Sequence, residues 1–471
     1  MKMGKVIILG AGPAGLGAGV ELVKKGIKPL ILEKDNQVGG LSKTINYKGY
    51  YFDLGGHRFF TKSKEVISLW KETLSEEEFL ERKRLSRIYY KNKFFFYPLR
   101  PANALFNLGV FTSIQVLLSY LKSKIFPYKD ESTFDRWVSN RFGKKLFHIF
   151  FKTYTEKLWG MPCEQIKAQW AAQRIKGLSL SKAIKNAFFP DKSGKIKTLI
   201  TKFHYPKYGP GMMYERMAEN IRKRGGKIFL NQEIKKIYHQ KNKIIAVETQ
   251  SNGTITRYQG NYFISSLPIT SLIEKLDPSP PLKVLKAARA LRFRSFLVVN
   301  LVLKAKHLFP DNWIYIHSPE VKLGRIQNFK NWSPFMVKDE NFTGLGLEYF
   351  CTEGDELWSK KDKDLIKLGL KELEVIKLAK SSQFIDGFVA KVPNAYPVYA
   401  YNYEDFLKMI KDYLARFKNF QTIGRGGMFR YNNMDHSILS GIYAARNTLG
   451  ENRNIWDINI EQEYHEEIKQ K

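Results

Sequence analysis

Hydrophobic and polar positions change rhythm several times along the chain, and each rhythm predicts a different element. Lys5 to Leu9, "KVIIL", is a short β-branched run and predicts a buried parallel strand. After it, apolar residues recur at helical spacing through about Lys25, and Gly26 ends that helix. Pro29 to Leu32 predicts a second strand, finishing at Glu33. Residues from about 86 to 204 read as mainly helical, rich in aromatics and lysine. In "GGKIFLNQEIKKIYHQKNKIIAVETQSNGTITRYQGNYFISSLP" the period falls to two, with turns at Asn242 and at "SNG". Residues 286–395 read as strands plus a helix, an inserted sheet. From about Tyr396 the chain returns to the domain in which it began.

Between the first strand and its helix lie Gly10, Gly12 and Gly15, a G-x-G-x-x-G spacing. Strand, glycine turn, helix, strand and a following acid form the dinucleotide fingerprint in its proper context. Gly10 makes the turn, Gly12 admits a pyrophosphate, and Gly15 lets the helix pack on the strand. Ala14 lies in the same first turn. Glu33 can accept both ribose hydroxyls of an adenosine. After it comes "KDNQVGGLSKT", where Gly39, Gly40 and Leu41 resemble the flavoprotein extension, which favours FAD over NAD. Ile234 follows an acid on a strand, the position where a flavoprotein backbone meets adenine. The expected fold is α/β: a discontinuous Rossmann-type FAD-binding domain with an inserted helical region and an antiparallel substrate-binding sheet. Its parts are 1–85, 205–285 and 396–471 for the flavin, with 86–204 and 286–395 inserted.

Length, charge and cysteine content narrow the picture. With 471 residues the chain is too long for one core. Two cysteines, Cys163 and Cys351, give no disulfide framework and fit a reducing, cytoplasmic compartment. No metal-ligand spacing is present. The formal net charge of +33 attracts anions. Nucleic acid is a poor match, because the lysines are scattered and no nucleic-acid-binding signature occurs. The uncharged run "PANALFNLGVFTSIQVLLSYL" (Pro101 to Leu121) carries Pro101, Asn103, Asn107 and Gln115. It reads as a helix that is either buried or lies in a membrane interface. Peripheral contact with an anionic membrane at its inner face follows as an expectation.

Near the C-terminus, "GRGGMFRYNNMDHSILSG" gathers Arg425, Arg430, Tyr431 and Asp435 among glycines at the start of a helix. Free N–H groups and the helix dipole suit an anion there. The residues alone lead no further.

Five stretches together resemble one family, the UDP-galactopyranose mutases, within the amine-oxidase and protoporphyrinogen-oxidase superfamily of flavoproteins. "FDLGGHRFF" (Phe52 to Phe60) is similar to the mutase loop that sets a histidine beside the flavin, implying roles for Gly56 and His57. "KLWGMPCEQIKAQWAAQRI" implies Trp159 and Arg174 at the substrate. "WIYIHSPEVKLGRIQNFKNWSP" implies Arg325 on the diphosphate, and "AYPVY" implies Tyr396. The "GRGG" stretch keeps the family's arginine, tyrosine and aspartate spacing at Arg425, Tyr431 and Asp435. Gly424, Met434, Asp435 and Ser437 would hold the flavin. Two departures concern the sugar: Trp332 replaces a substrate tyrosine, and Leu99-Arg100 replaces a polar pair.

The resemblance implies pyranose–furanose interconversion of a nucleotide-diphosphate sugar through a flavin N5–sugar adduct, in surface polysaccharide biosynthesis. It implies noncovalent FAD, with NAD(P)H as a candidate reductant. The alternative is an FAD-dependent oxidoreductase of amine-oxidase or protoporphyrinogen-oxidase type, acting on an amine or apolar substrate at the membrane surface. A flavin-fold binding subunit without turnover is the third reading.

Overall fold

The computed structural model describes residues 4–97, 99, 101–168 and 201–459. A five-stranded parallel sheet forms the nucleotide layer, in the order Phe420–Thr422, Tyr262–Ser265, Val6–Leu9, Leu30–Leu32, Lys227–Phe229. Its strands come from three separated parts of the chain. Val6 to Leu9 are buried on both faces, as parallel strands between helical layers must be. The helix Pro13–Lys24 covers one face and packs against the helix Met434–Thr448. Their contact is backbone to backbone: a Cβ on Gly441 would lie 2.0 Å from the Ala14 carbonyl oxygen. Two helices from opposite ends of the chain therefore fix each other.

Residues 233–259 form three antiparallel strands, joined at one edge by Leu276–Asp277. A seven-stranded sheet forms the other half of the molecule, in the order Phe384–Pro397, Phe293–Leu303, Thr343–Cys351, Arg325–Asn328, Trp313–Ile316, Ser86–Tyr90, Lys93–Phe96. Two features refine the expected architecture. The region 86–204, read as mainly helical, begins with a hairpin of this sheet. The sheet is also mixed, because Ser86–Tyr90 runs parallel to Trp313–Ile316. The hairpin turns at Lys91 and Asn92, both with positive φ (48° and 61°), the geometry that matches strand twist. Neither residue is glycine, so the usual hairpin signal is missing. A bidentate pair from Arg87 to the buried Asp311 (Nε–Oδ1 2.9 Å, Nη2–Oδ2 2.6 Å) ties the hairpin to the sheet.

After this hairpin, helices begin at Pro101. The run expected as one helix is two, Pro101–Leu108 and Val110–Ile125, broken at Gly109 with φ 80°. No described helix is long and apolar enough to cross a membrane. Further helices, including Phe134–Phe142 and Thr153–Trp159, complete an aromatic core with the seven-stranded sheet.

A buried carboxyl ties the paired strands Thr44–Tyr47 and Tyr50–Asp53 to the strand Lys202–Pro206. Asp53 is 1% exposed; its Oδ1 accepts from the Thr44 hydroxyl at 2.7 Å, and its Oδ2 bonds the Tyr205 hydroxyl. Burial pushes Asp53 up from 3.8 to about 7, against the opposing effect of these two hydrogen bonds. The folded chain thus holds this proton more tightly than the unfolded chain. Its favourable contribution is complete below pH 3.8 and is lost as pH rises through about 7. At roughly 1.4 kcal/mol per pH unit, the loss across that window is on the order of 4 kcal/mol. Asp53→Asn keeps the shape without the titration. Chemical denaturation at several pH values should show a flatter stability profile and a variant more stable than wild type at pH 8.

Candidate active site

Every strand of the nucleotide layer but the edge strand Lys227–Phe229 hands its next residues to one cavity of about 1200 Å³. Gly10 and Gly12 follow the first strand, Glu33 the second, Ser266 the strand Tyr262–Ser265, and Gly424 the strand Phe420–Thr422. Ligands bind at the carboxyl ends of such strands. The opposite wall comes from the seven-stranded sheet, including Tyr315, Arg325 and Tyr396.

The nucleotide end fits a dinucleotide. Gly12 has φ −76°, a value open to any residue, and a Cβ there would meet only the Gly40 Cα at 3.8 Å. The missing side chain leaves room for a ligand, not for protein. The helix Pro13–Lys24 starts at this point with its N–H groups directed outward. Gly15 does different work and is off the cavity wall: a Cβ would lie 1.9 Å from the Gly10 carbonyl oxygen. Glu33 Oε2 accepts from the Ala11 N–H at 2.6 Å and Oε1 from the Asp35 N–H at 3.0 Å. Each carboxylate oxygen retains accepting capacity for a ribose hydroxyl. Burial raises the Glu33 pKa, and the two N–H donors offset part of that rise. Ala14, Gly40, Leu41 and Ile234 also lie on the wall.

A second group of residues converges on the other part of the cavity. Gly56 and His57 follow the strand Tyr50–Asp53. His57 Nδ1 is buried and has no hydrogen-bond partner among the described residues. Burial first, then the Arg425 and Arg325 charges, push the imidazole down to about 3. It is therefore neutral at ordinary pH, with a ring nitrogen to offer a ligand. Arg425 is fixed at two points: Nε donates to the Asn432 carbonyl at 2.8 Å and Nη1 to the Ala395 carbonyl at 3.3 Å. Its guanidinium stands 4.7 Å from the Tyr431 ring centre and 5.6 Å from that of Tyr396. Those rings stack on each other at 5.5 Å. Among the described residues no carboxylate pairs with Arg425, so its charge is uncompensated.

Arg325 differs. Its Nε lies 2.9 Å from both oxygens of Glu348, its Nη2 also pairs with Oε2, and Glu348 is fully buried. Burial opposes the guanidinium charge, but Glu348 outweighs it and holds the Arg325 pKa well above its ordinary value. Gln327 Nε2 donates to the same carboxylate at 2.7 Å. Arg325 thus reaches the cavity as half of a neutral pair.

Met434 and Ser437 lie on the wall at the start of the helix Met434–Thr448. Asn433 caps that helix in a reciprocal box with His436, which explains the histidine structurally. Asp435 is buried behind the wall at 4% exposure. Trp159 closes the helix Thr153–Trp159 and packs in the aromatic core, off the cavity wall formed by the described residues. Trp332 is likewise core, its indole donating to the Asn312 carbonyl at 2.8 Å. Arg174 and Arg100 lie outside the described residues. Both cysteines are buried and off the wall, and burial raises both thiol pKa values.

Three wall or support residues carried no expectation: Tyr97, Tyr315 and Glu348. Strand register reveals two of them, since Tyr315 and Glu348 both pair directly with Arg325.

The model of the flavin-containing amine oxidoreductase family matches residues 13–449. The chain belongs to that family. This flavoprotein is 25% identical over 311 residues to a 1-hydroxycarotenoid 3,4-desaturase of Flavobacterium sp. (strain P99-3), covering 61% of this chain and 62% of the relative. It is 24% identical over 392 residues to the 15-cis-phytoene desaturase of Arabidopsis thaliana, covering 79% and 66%. The chain therefore spans just under two thirds of the length of these curated relatives. Among solved structures it resembles reduced UDP-galactopyranose mutase, with a TM-score of 0.83, 21% identity, and 97% and 98% of the two chains covered. A CLA-producing fatty acid isomerase from P. acnes shares the fold at a TM-score of 0.62 and 14% identity, with 95% and 99% covered. The likenesses to solved structures establish an FAD-binding α/β architecture common to flavoproteins of unlike chemistry.

Proposed function

We propose that this flavoprotein interconverts ring forms of a nucleotide-diphosphate sugar, in the manner of the UDP-galactopyranose mutases, in surface polysaccharide biosynthesis. The observation that carries the reading is Arg425: a guanidinium with no carboxylate partner among the described residues, fixed by two carbonyls and flanked by two tyrosines, facing the cavity. An isolated cation in a partly buried site is costly unless an anion completes it. A cationic amine substrate would be repelled there, and an apolar polyene would leave the charge unmatched. A diphosphate satisfies it, since a guanidinium fork matches two phosphate oxygens. Similarity across nearly the whole chain to a reduced UDP-galactopyranose mutase supports the same reading.

FAD fits the nucleotide end, with Gly12 and the N–H groups of the following helix at the pyrophosphate and Glu33 at the ribose. The resemblance to the mutases supports noncovalent attachment, with a reduced nicotinamide as the candidate electron source. The flavin, when bound, supplies the redox-active ring. This chain's own residues bind and orient the sugar nucleotide. Arg425 balances the diphosphate charge, Tyr396 and Tyr431 donate neutral hydrogen bonds, and His57 offers a neutral ring nitrogen.

The test is uridine diphosphate binding followed through the flavin absorbance of the yellow protein. Titration should perturb the spectrum. Arg425→Ala should weaken binding by about 10- to 150-fold, corresponding to roughly 1.5–3 kcal/mol for a hydrogen bond to a charged group. Arg425→Lys should recover only part, because an ammonium cannot hold two carbonyls and a phosphate fork together. No response to uridine nucleotides, with peroxide released from an amine or apolar substrate in air, would replace this reading with the oxidoreductase one.

A further inference from the structure

We infer that the outward face of the helices Pro101–Leu108 and Val110–Ile125 docks this protein on an anionic lipid surface. The inference is independent of the substrate proposed above. Both helices are amphipathic with respect to the core. Val116 and Tyr120 are buried on the inward side, with Ala104 and Leu108 partly buried beside them. The outward side carries Phe106, Val110, Phe111, Leu118, Ile125 and Phe126, each between 60% and 86% exposed. Proteins rarely leave so many large apolar side chains contiguous in water unless something covers them.

Length and charge indicate what covers them. The longer helix has 16 residues, so it measures about 24 Å, short of the roughly 30 Å hydrocarbon core. It can lie in an interface but cannot span a bilayer. From Arg82 to Lys129 the chain holds ten lysines and arginines and no aspartate or glutamate. Lys91, Lys93, Lys122, Lys124 and Lys129 are all exposed. A second copy of this face would bring like charges together. An anionic headgroup layer matches them, while the phenylalanines enter the acyl boundary. Lys122 and Lys124 sit in the last turn of the longer helix, within reach of headgroups when its apolar side is down.

The experiment is cosedimentation of the flavin-loaded full chain with vesicles of phosphatidylcholine alone or mixed with phosphatidylglycerol. Binding should require the anionic lipid and fall as salt rises. F106S/F111S/F126S should lose it at unchanged flavin content, because these side chains support no core. K122E/K124E should reduce partitioning more than tenfold, each lysine contributing roughly fivefold. Equal binding to neutral vesicles overturns the anionic assignment, and no binding to either overturns docking altogether. A wild-type dimer in sedimentation velocity that the serine variant dissolves would assign the face to a second copy instead.

Discussion

Gly12→Val yields a folded but colourless protein. The expectation follows from which atoms a side chain meets at that position. Gly12 lies at φ −76° and ψ −176°, so valine adopts its backbone without strain, and its Cβ finds only the Gly40 Cα at 3.8 Å. The added methyls enter the cavity at the start of the helix Pro13–Lys24, where a pyrophosphate must approach the backbone. Binding is lost through steric exclusion while the apo fold is untouched. Gly15→Ala is the contrasting case. Its Cβ would collide with the Gly10 carbonyl at 1.9 Å, so the turn itself must move. The first variant should show wild-type circular dichroism with no bound flavin, and the second should lose structure and flavin together. A yellow Gly12→Val protein would remove the fingerprint as the flavin site.

The contrast also shows which parts of the site could be read from the chain. Gly10, Gly12, Gly15 and Glu33 lie within one short strand–turn–helix–strand unit, so local spacing alone brings them together. Glu348 could not be read that way. It sits in "GLEYF", an unremarkable buried strand, and gains meaning only because register places it opposite Arg325. Tyr315 is hidden for the same reason. The hairpin at 86–96 was concealed by a left-handed turn built from lysine and asparagine. For Trp159 the family resemblance implies the substrate, while among the described residues its side chain packs in the aromatic core. The uncharged run marked 101–121 as helical but could not say which face would stay uncovered, since that depends on what the rest of the chain brings to it.

Glu348→Gln destabilises the folded protein and makes it more dependent on an anionic ligand. Glu348 has no exposure and accepts from Arg325 through both oxygens, with Gln327 as a further donor. Glutamine keeps the volume and one acceptor but removes the counter-charge. Breaking a buried pair in this way costs about 3–5 kcal/mol. The lower end applies because the Arg325 side chain retains 18% exposure toward the cavity. Thermal unfolding should therefore begin earlier in the variant. The liberated guanidinium now joins Arg425 as a second cation on the same wall without a carboxylate partner among the described residues. A dianionic ligand repays part of the lost pairing, and by linkage it stabilises the variant more than the wild type. Uridine diphosphate should raise the variant's unfolding temperature by the larger increment and bind it more tightly. Destabilisation without that additional ligand response would leave Glu348 as a structural counter-ion and would place the diphosphate away from Arg325.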